Sequence, residues 1–300
     1  MRAATFDRFG PPDVLRIIEL PDPEPGAGQV RVRVHAAGVQ PFDVKFRTGR
    51  MTRVETAFPQ RIGQEYAGVI DQVGAGVTGL EVGAAVLGSS MLDACADYVV
   101  ADAATVVPKP AELGFPVAAG LVAAAQTASG TLQELGVGSG DVLLMHAGAG
   151  SVGTVATQLA RLAGATVIGT ASPANHDYLR ELGAIPVTYG DGLVDAVRAL
   201  GERVTVAIDA VGGQAIKQSV ELGVAPERVG TIVGNPSAQQ YGARMVRAGR
   251  SPTRLAGVIA LAARGEVVMP VQVYPFAQIV AAHTLVESGH GRGKVVLSLE

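Results

Sequence analysis

The chain has 300 residues, is 48% hydrophobic but only 4% aromatic, and carries a formal net charge of −3. That length holds about two domains with a core each, and an acid-leaning balance without a basic cluster argues against nucleic acid as the main partner. The single cysteine, Cys95, excludes a disulfide framework or a multi-cysteine zinc site and is expected as a small apolar filler. The start, M-R-A-A-T-F-D, lacks the apolar core of a signal peptide, and no apolar run reaches membrane-spanning length. A cytoplasmic protein is expected.

Residues 1–40 show no helical period. Strands are expected over 17–20 and 30–39, parted by the turn P-D-P-E-P-G-A-G at 21–28. In Q-V-R-V-R-V-H-A-A-G-V, valine alternates with Arg and His, the pattern of a half-exposed antiparallel strand. Strand-like runs at 63–73 and 96–100 complete a small β barrel or sandwich. From 116 to 135 the chain is Ala-rich and helical, as one or two helices stopped by Gly136 and Gly138.

The run 141–146 is apolar and too short for a helix, so a buried strand is expected. Gly148, Gly150 and Gly153 follow as G-x-G-x-x-G. Val152, Val155, Ala156, Leu159 and Leu162 then recur at helical spacing until Gly164, and 166–170 is a β-branched strand. Beyond it, helices at 177–182, 193–200 and 214–222 alternate with strands at 185–188, 204–209 and 229–233. Such alternation builds a parallel, doubly wound sheet. Ser251-Pro252 open a last helix to residue 264, and strands at 267–273 and 294–299 flank a helix at 276–287. This tail is expected to rejoin the opening β segment. The expected division is a β domain of 1–115 with 267–300 and a dinucleotide domain of 116–266, with a cleft beside the carboxyl ends of the parallel strands.

Strand, glycine turn, helix and strand in that order form the dinucleotide-binding unit. The first glycine is expected to allow the sharp turn, the second to let backbone approach a pyrophosphate, and the third to let helix pack on sheet. The helix N-terminus offers N–H groups and partial positive charge to the phosphates. Sites that prefer NAD place an acid at the end of the second strand, roughly 20 residues on. Here that place is Thr170-Ala171-Ser172. No carboxylate repels a 2′-phosphate and Ser172 can donate to it, so NADPH is expected. His146, beside the turn, is a candidate cofactor contact, whereas His35 and His283 are expected to be structural. Asp209 is expected to order the turn that follows its strand.

Five ordered motifs resemble the medium-chain dehydrogenase/reductase superfamily, in its zinc-independent quinone oxidoreductase branch. They are G-V-Q-P-F-D-V-K-F-R-T-G at 38–49, G-Q-E-Y-A-G-V-I at 63–70, H-A-G-A-G-S-V-G at 146–153, V-A-I-D-A-V-G-G at 206–213 and G-R-G-K-V-V-L at 291–297. The resemblance covers nearly the whole chain. It implies a GroES-like β-barrel domain joined to a doubly wound Rossmann sheet, NADPH as cofactor, and a homodimer. For the cofactor it implies His146, Gly148, Ala149, Gly150, Ser151, Val152, Gly153, Thr170, Ser172, Asn175, Tyr189, Val211, Gly234 and Lys294. Relatives hold the 2′-phosphate with a Ser, a Lys and a Tyr; Ser172 and Tyr189 match, Asn175 stands at the lysine place, and His176 and Arg180 lie nearby.

Three departures from the family pattern stand out. Where zinc-dependent relatives carry Cys and His ligands, this chain has Gln40, Pro41 and Gln64, so no metal site is expected. A Tyr common after the R-x-G element is replaced by Arg50. The stretch 80–98 is short, which implies an open substrate mouth. The expected activity is hydride transfer from NADPH to a quinone or α,β-unsaturated carbonyl; the alternatives are an enoyl-thioester reductase or a non-catalytic NADPH-binding protein. Candidate catalytic residues are Gln40, as donor to the substrate oxygen, Asp43, Lys45, Tyr66 and Thr127. Against them stand an Asp43 that caps a local helix, a solvated Lys45 and a Tyr66 in the core.

Overall fold

A computed structural model describes residues 1–51 and 55–299. It divides into two units, Met1–Ala123 with Ser251–Ala263 and Met269–Glu300, and Ala124–Arg250 with Arg264–Val268.

The first unit opens with β1 (Arg2–Phe6), β2 (Arg16–Glu19) and β3 (Gln29–Val39). Helix α1 (Pro41–Arg47), β4 (Gln60–Arg61), β5 (Glu65–Val73), β6 (Ala85–Ser89), β7 (Tyr98–Asp102), β8 (Val107–Pro108) and the start of helix α2 (Phe115–Glu134), as far as Ala123, follow. β3 is the organising strand. One edge pairs with β5; the other pairs with β7 along Gln29–Arg33. Its alternating valines Val30, Val32 and Val34 are buried, as the period requires. The opposite face is less solvated than the Arg/His pattern suggests. Arg31 is buried, with Nε and Nη2 donating to Asp71 at 3.0 and 2.8 Å and the guanidinium 4.7 Å from the Tyr98 ring centroid. Cys95 lies in the apolar core of this unit.

The second unit alternates strand and helix: β9 (Val142–Met145), α3 (Ser151–Leu162), β10 (Thr166–Ala171), α4 (His176–Glu181), β11 (Ile185–Thr188), α5 (Leu193–Arg198) and β12 (Val206–Asp209). Then come α6 (Ala215–Glu221), β13 (Val229–Thr231), α7 (Ser237–Tyr241) and β14 (Arg244–Met245). Its strands lie in the order β11-β10-β9-β12-β13-β14, and every pairing is parallel. Both faces of such a sheet are covered, so β9 and β12 are buried at every position and show no period-two alternation. The strand order reverses at β9, and a doubly wound sheet opens its ligand crevice at that switch point. At the start of β9, Asp141 accepts bonds from Arg228 Nη2 at 2.5 Å, Thr205 Oγ1 at 2.7 Å and the Gly138 N–H at 2.9 Å.

The chain returns through α8 (Pro252–Ala263), β15 (Val271–Pro275), α9 (Ile279–Ser288) and β16 (Lys294–Ser298). Ser251 caps α8: its hydroxyl accepts the Arg254 N–H at 3.2 Å. β16 pairs antiparallel with the end of β3 and parallel with β15, so the tail does rejoin the opening β segment.

One buried ion pair staples this return. Lys294, first in β16, meets Glu65, first in β5, across Gly38 of β3. A Cβ on Gly38 would fall on the Glu65 carboxylate, so only glycine leaves it room. Glu65 is 0% exposed, and its Oε2 accepts the Ala123 N–H at 2.7 Å. Removing one member of a buried pair strands the other charge, at a cost of about 3–5 kcal/mol. Lys294→Met should therefore lower the melting temperature strongly. Pairing it with Glu65→Gln should recover much of the loss, measured by thermal denaturation of both variants.

Candidate functional site

The turn between β9 and α3 is built on backbone. The Ala147 N–H donates to Thr170 Oγ1 at 3.1 Å and the Gly148 N–H to the Thr170 carbonyl at 2.9 Å, tying the turn to β10. Ala147, with φ of 59°, takes the left-handed conformation, so the sharp bend falls one residue before the first motif glycine. Gly148 instead allows close packing: a Cβ there would lie 3.3 Å from the Gly169 Cα. Gly153 has no room at all, since a Cβ would stand 2.5 Å from the Ala147 carbonyl oxygen and 2.6 Å from that of Gly148. It makes way for the turn itself rather than for the sheet. Helix α3, twelve residues long, starts at Gly150 with no side-chain cap. Its first N–H groups have no capping side-chain oxygen, which is the arrangement that suits an anion.

Asp209, buried at the end of β12, organises the next two loops. Its Oδ1 accepts the N–H groups of Val211 at 2.9 Å and Gly212 at 2.6 Å. Its Oδ2 accepts Thr231 Oγ1 at 2.9 Å and Asn235 Nδ2 at 3.1 Å. Four bonds on one carboxylate make it a turn-former, as the sequence suggested. Val211 is left 64% exposed, and Gly234, with φ of 72°, is exposed beside Asn235.

At the ends of β10 and β11, Ser172, Asn175, His176, Thr188 and Tyr189 come together. The Asn175 amide lies 3.5 Å from Ser172 Oγ, and His176 Nε2 lies 3.4 Å from Thr188 Oγ1. No carboxylate stands among these five. Thr170 is buried, Ser172 and Asn175 are half-exposed, and Tyr189 is 57% exposed. Ala149 is buried; Ser151 and Val152 are partly exposed.

His146 behaves differently from the expectation that it touches a cofactor. It is buried, with Nε2 3.0 Å from Ser219 Oγ on α6. The Ser219 hydroxyl donates to the Ala215 carbonyl at 2.7 Å, so the imidazole donates from Nε2–H. Burial pushes its pKa down to about 4, and the ring serves as a neutral strut behind the turn.

In the first unit, the Gln40 N–H donates to Asp43 Oδ2 at 3.0 Å and the Asp43 N–H donates to the Gln40 carbonyl at 2.9 Å, a reciprocal start to α1. Asp43 thus caps a local helix, and its other oxygen has no hydrogen-bond partner. Burial pushes its pKa up to about 7, against the opposing pull of the Gln40 N–H and of Lys294. Gln40 Nε2 donates to Gln64 Oε1 at 2.9 Å, and Gln64 Nε2 has the soft sulfur of Met91 at 3.7 Å. The two amides therefore pair where zinc-dependent relatives carry ligands. Gln64 and Glu65 were not among the expected site residues. A carboxylate inside the apolar run G-Q-E-Y-A-G-V-I is the signal that marks Glu65, since a buried carboxylate needs a cation.

Tyr66 belongs to the core and not to a reacting surface. It is 0% exposed, its ring packs against Gly88, its hydroxyl has no hydrogen-bond partner, and burial pushes its pKa up. The Lys294 ammonium is matched by Glu65 inside the first unit. Lys45 on α1 and Thr127 on α2 are each half-buried. Among the described residues, no group of three or more His, Cys, Asp or Glu is placed to hold a metal ion. No described helix is long and apolar enough to cross a membrane.

A six-stranded parallel sheet with an uncapped helix at its switch point is a doubly wound dinucleotide-binding fold. Residues 26–135 match the alcohol dehydrogenase GroES-like domain family, and residues 182–297 match the zinc-binding dehydrogenase family. The solved quinone oxidoreductase from Coxiella burnetii is 32% identical and superposes with a TM-score of 0.91, over 100% of this chain and 99% of that one. The NADPH-dependent alkenal/one oxidoreductase of Arabidopsis thaliana chloroplasts is 29% identical over 99% of this chain and 79% of its own length. The spectinabilin polyketide synthase system protein NorB of Streptomyces orinoci is 34% identical over 94% of this chain, which spans only 14% of that protein. The chain belongs to the medium-chain dehydrogenase/reductase superfamily, in its quinone oxidoreductase-like branch.

The raised pKa of Asp43 carries a sign. Its folded value of about 7 lies above the unfolded 3.8, so between these values the folded state binds more protons. Stability from this group is therefore greatest at low pH and is lost as pH rises to 7. Asp43→Asn removes the buried charge while keeping an oxygen for the Gln40 N–H. It should gain stability relative to wild type on going from pH 5 to pH 8, by on the order of 2 kcal/mol. Urea denaturation at the two pH values checks this.

Proposed function

We propose that the chain is a zinc-independent, NADPH-dependent oxidoreductase that delivers hydride to a quinone or α,β-unsaturated carbonyl. The observation that carries the reading is the open N-terminus of α3 at the switch point, set beside a β10 end that bears Ser172 and no carboxylate. Gly153, whose missing Cβ makes way for the turn, lets that turn close against the start of α3, as the dinucleotide-binding unit requires. The similarity to an NADPH-dependent alkenal/one oxidoreductase over 99% of the chain supports the same cofactor and acceptor class. The protein is taken to act in the cytoplasm as a homodimer, the state that the family resemblance implies.

NADPH, when bound, supplies the hydride and the electron chemistry. The N–H groups of Ser151 and Val152 would hold the pyrophosphate from Gly148–Gly153, and Ser172, Asn175 and Tyr189 would hold the 2′-phosphate. Thr170 and His146 hold the turn from behind, while Asp209 fixes the loops that carry Val211 and Gly234 along the cofactor. The acceptor's oxygen gains negative charge in the reaction, and an amide N–H is the donor that stabilises it. Gln40 and Gln64 provide such amides, positioned against each other. Asp43 holds the Gln40 backbone, and Lys45 and Thr127 remain candidates to orient the acceptor. Lys294 contributes through Glu65, as a positioning residue.

A second reading is an enoyl-thioester reductase. It is favoured by the 34% identity to a polyketide synthase system protein. The acceptor panel separates the two: NADPH and NADH oxidation with quinones, alkenals, enones and enoyl thioesters, all with EDTA present. The expected result is NADPH-dependent turnover with quinones or enones, insensitive to EDTA, and a Ser172→Asp variant that loses NADPH affinity at least tenfold while NADH is little affected. Tight NADPH binding with no turnover of any acceptor would sink the enzyme reading, and loss of activity in EDTA would contradict the zinc-free one.

A further inference from the structure

We propose that His176 is the cation that recognises the 2′-phosphate, and that its protonation accompanies NADPH binding. This deepens the cofactor reading above and rests on it. β10 and β11 run parallel with Ala171 opposite Thr188, so Ser172 and Tyr189, the residues that follow each strand, leave the sheet side by side. The turn Pro173–Asn175 then folds back, with the Asn175 N–H on the Ser172 carbonyl at 2.9 Å, and delivers His176 onto Thr188. Two hydroxyls, an amide and an imidazole thus line one strand edge, with exposed Tyr189 next along the chain.

A phosphate monoester carries nearly two negative charges at neutral pH, and hydroxyls and amides alone leave that charge unmatched. The nearby arginines are committed elsewhere. Arg180 Nη1 donates to Asp177 at 2.5 Å, and Arg161 Nη1, from α3, donates to the Leu182 carbonyl at 3.3 Å. β10, β11 and the Pro173–Asn175 turn carry no ionisable side chain, Tyr189 and Asp191 follow β11, and Asp177 and Glu181 share α4 with the histidine. Of the cationic-capable groups on these elements, Arg180 is paired with Asp177, and His176 is the one whose ring lies against Thr188 at the cluster. It is half-exposed, and a phosphate dianion held beside it draws a proton onto the ring. A charge-assisted bond of this kind strengthens binding about tenfold or more. Relatives that carry lysine at the position of Asn175 bear a permanent charge; here the charge is acquired at the next residue.

The test is isothermal titration of the full chain with NADPH and with NADH at pH 7 and pH 9, where the phosphate is already a dianion. Two buffers of different ionisation enthalpy report proton uptake. Wild type should take up protons with NADPH and not with NADH, and its NADPH affinity should weaken about tenfold at pH 9 while that for NADH stays level. His176→Gln should bind NADPH about tenfold more weakly at pH 7, without proton uptake or pH dependence, and bind NADH as before; unchanged NADH binding shows that the fold is intact. His176→Lys should bind NADPH tightly at both pH values. A His176→Gln variant that keeps wild-type NADPH affinity and proton uptake would overturn the assignment. Failure of wild type to bind NADPH at either pH would instead overturn the cofactor reading, and this assignment with it.

Discussion

The carboxyl edge of the parallel sheet depends on how closely the turn after β9 packs on its surroundings. Thr170 accepts two consecutive N–H groups of that turn, one on its hydroxyl and one on its carbonyl. The carbonyls that remain, on Ala147 and Gly148, point at Gly153, where no side-chain atom fits. Because the turn's own polar groups are spent inward, the first N–H groups of α3 are left to meet a ligand. Close packing here is what suits this helix start to an anion.

A different constraint shapes the first unit. Its sheet buries Glu65, Lys294 and Asp43 within one apolar barrel, so their charges must be matched internally. Glu65 and Lys294 match each other. Asp43 has no such partner and is held nearer to neutral, with one oxygen committed to the Gln40 backbone. The consequence is a rigid backbone at Gln40, next to the start of α1, and an amide pair with Gln64 whose far N–H group meets only a thioether. Donors that are fixed but weakly satisfied suit an oxygen that arrives with the substrate.

The second unit was largely legible because its physics is local. The helical recurrence in α3 and the unbroken apolar runs of β9 and β12 follow from burial on two faces, and Asp209 at a strand end announces a turn. The short strands β1, β6 and β8 were not legible, since their pairing partners lie far along the chain and their residues carry little pattern. Helix α1 was visible only as the capping potential of Asp43. Three candidates show where the pattern stops. His146 stands beside the glycine turn in sequence, yet its ring bonds Ser219 of α6; Lys294 falls among the residues the resemblance implies for the cofactor, yet its ammonium meets Glu65; Tyr66 carries an acid's hydroxyl, yet sits in the core. Residue type and spacing disclose chemical capacity, but long-range packing decides whether that capacity faces solvent.

The central claim is that a dinucleotide lies on the uncapped start of α3 and reaches the ends of β10 and β11. Residue-resolved hydrogen–deuterium exchange with and without saturating NADPH tests it most directly, because the claim names the amides that receive phosphate. Slowed exchange at Ser151, Val152 and Gly153, with a second protected patch over residues 172–176, is the predicted result. NADPH that binds while these amides exchange at their unliganded rates would contradict the account.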